Sequence, residues 1–213
     1  MKQLLELPDK PIALLVLAHG AGAGMEHPFM ARTAALLGER AVGTLRYEFP
    51  YMEAKKNRTD SPAVAAARVR EAVAEAAKAA PGVPLFAGGK SFGGRMTSTA
   101  QAESPLEGVR GLVFLGFPLH APGRPGTERA AHLLQVRVPM LFVQGTRDEF
   151  AQPDLLNQVI ESLKGEVTLF PVEGGDHSFK VPKKLGGDAL PGIADEVAGW
   201  MKAVLTGKPR TRA

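Results

Sequence analysis

The chain has 213 residues, 45% hydrophobic and 23% charged, with 24 glycines, 17 prolines and no cysteine. This is the composition of an ordinary globular domain, and the missing cysteine excludes a disulfide framework, a thiolate zinc site, iron–sulfur ligation and a cysteine nucleophile. Its 26 basic and 22 acidic side chains leave a net charge of +4, too mild and too widely spread to read as a nucleic-acid surface.

Taken in chain order, Met1 to Leu7 is a candidate edge strand. Pro11 to Ala18 is an apolar run that breaks into His19-Gly20-Ala21-Gly22, the shape of a buried strand leaving for a loop. Its apolar part is too short to span a bilayer and lacks the flanks of a secretory signal, so a cytoplasmic protein with no membrane partner is expected. Phe29 to Arg40 reads as a helix and Ala41 to Tyr47 as the next strand. Ser61 is a candidate N-cap with Pro62 at the first helical position, and the Ala-rich helix that follows stops after Ala80 at Pro81-Gly82.

Val83 to Ala87 is a short central strand; it runs into Gly88-Gly89-Lys90-Ser91-Phe92-Gly93-Gly94 and a helix to about Glu103. Gly111 to Gly116 and Pro139 to Gly145 are buried strands, separated by a Pro/Gly-rich loop from Phe117 to Gly126 and a short helix around Glu128 to Gln135. Gln152 to Leu163 is helical, Val167 to Val172 is a strand, and Ile193, Val197, Trp200 and Val204 share one face of a terminal helix. Alternating strands and helices call for an α/β protein: a mostly parallel sheet of six to seven strands with helices on both faces. No linker or repeat divides the chain, so residues 1–206 are expected to form a single domain, with residues 207–213 a basic, disordered tail. The connections are too short for a cap domain.

Gly89-Lys90-Ser91-Phe92-Gly93 has the Gly-x-Ser-x-Gly spacing and falls between a strand and a helix. A serine on such a sharp turn needs glycine neighbours, because a side chain there would collide with the adjoining strand or helix. A serine hydroxyl also needs a base and an orienting acid. Asp148 follows the strand ending at Gly145, and His177 follows the last strand. Both leave carboxyl ends of strands, the edge where parallel sheets build sites, and the chain order Ser, Asp, His is that of α/β-hydrolases. Glu149 and Asp176 compete for the acid role; Asp148 is preferred.

Two backbone N–H groups should form an oxyanion hole: Phe92, after the nucleophile, and Ala21, in the glycine-rich loop after the Pro11–Ala18 strand. His19 is expected to orient that loop, and His27 and His132 to be surface or packing residues. His120 lies at the expected pocket mouth. Lys90 and Arg95 around the nucleophile, with Lys55, Lys56 and Arg58 nearby, would form a basic rim that attracts an anionic substrate. A phosphate-loop reading fails because Pro84 stands where its first glycine is required. No metal-ligand pair at helical spacing is present, and no cofactor is expected.

The stretches Gly88 to Met96, Leu115 to His120, Val143 to Asp148 and Gly175 to Phe179 resemble a compact α/β-hydrolase family related to dienelactone hydrolase. Similar domains occur in an animal testis-expressed protein and in a subunit of a histone-acetyltransferase complex. The resemblance implies the α/β-hydrolase fold and the roles of Ser91, Asp148 and His177. It carries no substrate, since dienelactone hydrolases use cysteine. The expectation is a serine hydrolase acting on a small acyl substrate, an ester or thioester. The alternative is a non-catalytic interaction module with a protein partner.

Overall fold

The computed structural model describes residues 1–207. Seven strands form one sheet in the order β1-β3-β2-β4-β5-β6-β7: β1 (Gln3–Glu6), β2 (Ala13–Ala18), β3 (Val42–Tyr47), β4 (Leu85–Lys90), β5 (Val109–Leu115), β6 (Met140–Gly145) and β7 (Val167–Val172). All neighbours are parallel except β1, which joins the edge antiparallel to β3. The inner strands are buried on both faces, which is why they read as unbroken apolar runs.

Alternate residues feed two cores. Leu14, Val16, Leu45, Ala87, Phe114 and Phe142 face one side. There they meet α3 (Pro62–Ala79), α4 (Phe92–Glu103), α5 (Pro153–Ser162) and a 3-10 helix at Glu128–Gln135. Leu15, Leu17, Phe86, Val113, Leu141 and Val143 face the other side. Their partners are α1 (Pro28–Gly38) and α6 (Leu190–Thr206), the latter contributing Ile193, Val197 and Trp200. This is the α/β-hydrolase arrangement, and the segment between β5 and β6 carries only the short 3-10 helix, with no cap.

β4, the start of β5 at Val109 and the stretch after Phe49 depart from the pattern in the sequence. β4 starts at Leu85 and continues through Gly88-Gly89-Lys90, where the pattern ends a strand at Ala87. Gly88 and Gly89 are ladder members paired with Val113 and Phe114, and glycine stands there because β4 is pressed against its neighbours. A Cβ on Gly89 would lie 2.8 Å from the Ala18 Cβ. The stretch after Phe49 forms a short helix, α2 (Pro50–Glu53), where the sequence suggests irregular chain. Ser61 Oγ accepts from the Val64 N–H at 3.5 Å and Pro62 opens α3, as the capping pattern predicts. The predicted basic tail lies outside the described residues, apart from Gly207. Among the described residues, no helix is long and apolar enough to cross a membrane.

Candidate active site

Ser91 caps α4 with φ 50° and ψ −116°, a left-handed conformation that costs a non-glycine residue energy and recurs at functional turns. The turn is tight because α4 must start directly above β2: a Cβ on Gly93 would stand 2.5 Å from the His19 carbonyl oxygen. Ser91 N–H donates to the Leu115 carbonyl at 3.1 Å, which fixes the elbow to β5.

His177 lies on the loop after β7 and Asp148 on the loop after β6. His177 Nδ1 is 2.7 Å from Asp148 Oδ2, and His177 Nε2 is 2.9 Å from Ser91 Oγ. A carboxylate only accepts, so Nδ1 carries the ring proton and Nε2 is left to accept from the serine hydroxyl. The Asp148 side chain is fully buried, and its burial is offset by three donors. Besides His177, these are Gln144 Nε2 to Oδ2 at 2.6 Å and the Phe150 N–H to Oδ1 at 2.8 Å. Gln144 Oε1 in turn accepts from the Phe117 N–H at 2.8 Å. The Phe150 ring lies 4.3 Å from the imidazole, centroid to centroid, and limits its swing. Neither Gln144 nor Phe150 belongs to a motif; the only sequence signal for Gln144 is a polar residue at the end of an otherwise apolar strand.

The loop after β2 approaches the same point, for a Cβ on Gly20 would sit 3.8 Å from the Ser91 Cβ. Several side chains hold it. Buried His19 donates from Nδ1 to the Gly20 carbonyl at 2.9 Å and accepts at Nε2 from the Phe49 N–H at 3.1 Å. Burial drives that ring toward its neutral form, opposed by the Gly20 carbonyl and by the charges of Glu48 and Asp60. Glu48 Oε1 accepts from the Met25 N–H, Tyr51 Oη from the Gly22 N–H, and Arg46 donates to the Met25 carbonyl. Ala21, the candidate oxyanion donor on this loop, is exposed and follows Gly20, and Phe92, the other candidate, is the first residue of α4, directly after Ser91.

The remaining sequence candidates separate. His120 is buried, with Nδ1 donating to the Ala121 carbonyl at 2.9 Å and Nε2 taking the Gln152 N–H at 3.4 Å. Both ring nitrogens are spent on backbone, which pins this loop to the start of α5. Lys90, expected on a basic rim, turns inward instead, and its Nζ is buried with no hydrogen-bond partner among the described residues. Lys55, Lys56 and Arg58 are exposed. Arg95 is partly exposed, with its Nε buried and without a hydrogen-bond partner among the described residues. Burial, then the charge of Arg129, lowers its affinity for a proton.

A second serine–histidine pair is present. Ser98 Oγ lies 2.7 Å from His132 Nε2 and also contacts the Arg95 carbonyl at 2.9 Å. Ser98 is fully buried within α4, and among the described residues no carboxylate pairs with His132, which burial and then Arg95 push down to about 4. The pair ties α4 to the 3-10 helix and lacks the acid a hydrolytic site requires. A cavity of about 220 Å³ between β7 and α6, lined by Phe170, Val181, Leu185 and Ile193 among others, includes none of the three residues at Ser91. Among the described residues no cluster of His, Asp and Glu could hold a metal ion.

A capless sheet carrying a strained serine elbow and an imidazole at its carboxyl edge defines the alpha/beta hydrolase class. The chain belongs to the alpha/beta hydrolase domain family, whose model matches residues 11–204. Its backbone is similar to dienelactone hydrolase from Anabaena variabilis, with a TM-score of 0.75 and 21% identity over 94% of this chain and 90% of that one. Est1E from Butyrivibrio proteoclasticus, solved with ferulic acid bound, matches with a TM-score of 0.72 and 17% identity over 96% and 95%. A monoacylglycerol lipase from Paleococcus ferrophilus gives a TM-score of 0.73 and 15% identity over 96% and 100%.

Proposed function

We propose that the protein is a cytoplasmic serine hydrolase that cleaves a small ester or thioester through an acyl-enzyme. The unbroken hydrogen-bonded chain from Ser91 through His177 to buried Asp148 is the observation that carries this reading. His177 takes the hydroxyl proton as Ser91 attacks the carbonyl carbon, and the N–H groups of Ala21 and Phe92 receive the oxyanion. The imidazolium returns that proton to the leaving group. Water then attacks the acyl-serine with the same ring as base, and Asp148 holds the tautomer throughout. Without a cap the cleft is open to small substrates, and the basic side chains of Lys55, Lys56, Arg58 and Arg95 favour one carrying a negative charge.

A fluorophosphonate probe tests the assignment. Mass added at Ser91, abolished in Ser91→Ala, strongly reduced in His177→Ala and retained in Ser98→Ala, supports it. An inert Ser91 overturns it and favours the alternative, a non-catalytic interaction module, as a resemblance to the animal testis-expressed protein and the acetyltransferase-complex subunit would imply.

A further inference from the structure

Lys90 precedes the serine, and its amine is not at the surface. Nζ is buried and has no hydrogen-bond partner among the described residues. The point that a Cβ on Gly116 would occupy lies 2.9 Å from Lys90 Nζ and 3.5 Å from both Asp148 Oδ2 and His177 Cε1. The amine therefore shares one small space with the acid and the imidazole, yet it is paired with neither. Gly116, at φ +72°, leaves room for it. Phe179 covers it, with Nζ 5.3 Å from the ring centroid, and Phe179 itself holds a left-handed φ of 60° on the loop that carries His177. A cation over a ring face is partly compensated for lost water.

Resting on the Ser91–His177–Asp148 reading, we infer that Lys90 is a positioning residue: its enclosed amine acts through space on the Asp148–His177 pair and sets the pH range over which the imidazole is free to accept a proton. The charges facing it are Asp148, Asp176 and, when protonated, His177. Burial lowers Lys90 to about 8, against the pull of Asp148 and Asp176. Below that pH the side chain is an ammonium beside the imidazole and opposes a second positive charge there. Above it the amine is neutral and the repulsion disappears.

The His177 Cε1–H signal, followed by NMR across pH in the wild type and in Lys90→Met, reads this directly and needs no turnover. Removing the cation should move the imidazole midpoint upward by about one pH unit, and the acid limb of kcat/KM should move with it while KM stays unchanged. In the wild type the same signal should show a second inflection near the Lys90 titration, which decides the matter if the variant fails to fold. An unmoved midpoint, or a wild-type signal with no second inflection, overturns the inference even if Ser91 labels normally. A moved midpoint with an inert Ser91 upholds the electrostatic coupling and overturns the catalytic reading instead.

Discussion

Ser91 can hold its left-handed backbone because Gly89, Gly93 and Gly94 around the elbow leave room for β2, β4 and α4 to meet. Adding one methyl group at Gly93 would drive a Cβ into the His19 carbonyl at 2.5 Å and the Ala18 Cβ at 2.7 Å. Neither atom belongs to a flexible side-chain end, so the backbone must shift. Gly93→Ala should therefore lose about 3 kcal/mol in urea unfolding. Gly38, at the end of α1 with nothing within 4 Å of its Cβ position, is the matched control, and Gly38→Ala should be neutral or stabilising by about 0.5 kcal/mol. Equal losses at both sites would contradict this account of the elbow. The glycine spacing was visible in the sequence, but the atoms that enforce it come from β2, some seventy residues earlier, and could not be read there.

At the level of elements, the Ser98–His132 bond joins α4 to the 3-10 helix, and the imidazole is folded in its neutral form. Its folded value, about 4, lies below the unfolded reference of about 6.5, so the unfolded chain binds the extra proton between these values. Stability from this residue is present above pH 6.5 and is lost as pH falls toward 4. Thermal unfolding should show a wild-type loss over that window that is smaller in His132→Gln by about 2 kcal/mol; parallel pH curves would refute the burial argument. The helices and strands themselves were legible because each reports a local pattern: apolar runs for strands buried on both faces, Ser-Pro and Pro-Gly for the ends of α3. Where boundaries moved, as in β4, the pairing partner decided the length. The short helix α2 carried no periodicity to reveal it, since four residues complete barely one turn.

For the whole molecule, an excess of four positive charges matters only through where they gather. Lys55, Lys56 and Arg58 are exposed, and neither Arg95 nor Arg129 forms an ion pair among the described residues, whereas Arg32, Arg40, Arg46, Arg68 and Arg70 are each paired with acids. Of two otherwise identical esters, one with a remote carboxylate, the charged one should show the higher kcat/KM at low salt, and the advantage should shrink by 0.15 M salt, where the screening length is about 8 Å. Equal constants at all ionic strengths would remove the anionic preference. The order Ser, Asp, His at the carboxyl ends of β4, β6 and β7, with glycine where a turn demands it, was enough for the linear chain to declare an α/β sheet and to nominate three candidate site residues, because strand period and turn chemistry are local. Burial is not local. Whether Lys90 would point into water or into the space beside Asp148, and whether His120 would face a substrate or spend its ring on backbone, depended on which distant loops closed over them. Only the packed sheet, with its low-dielectric interior, could decide that.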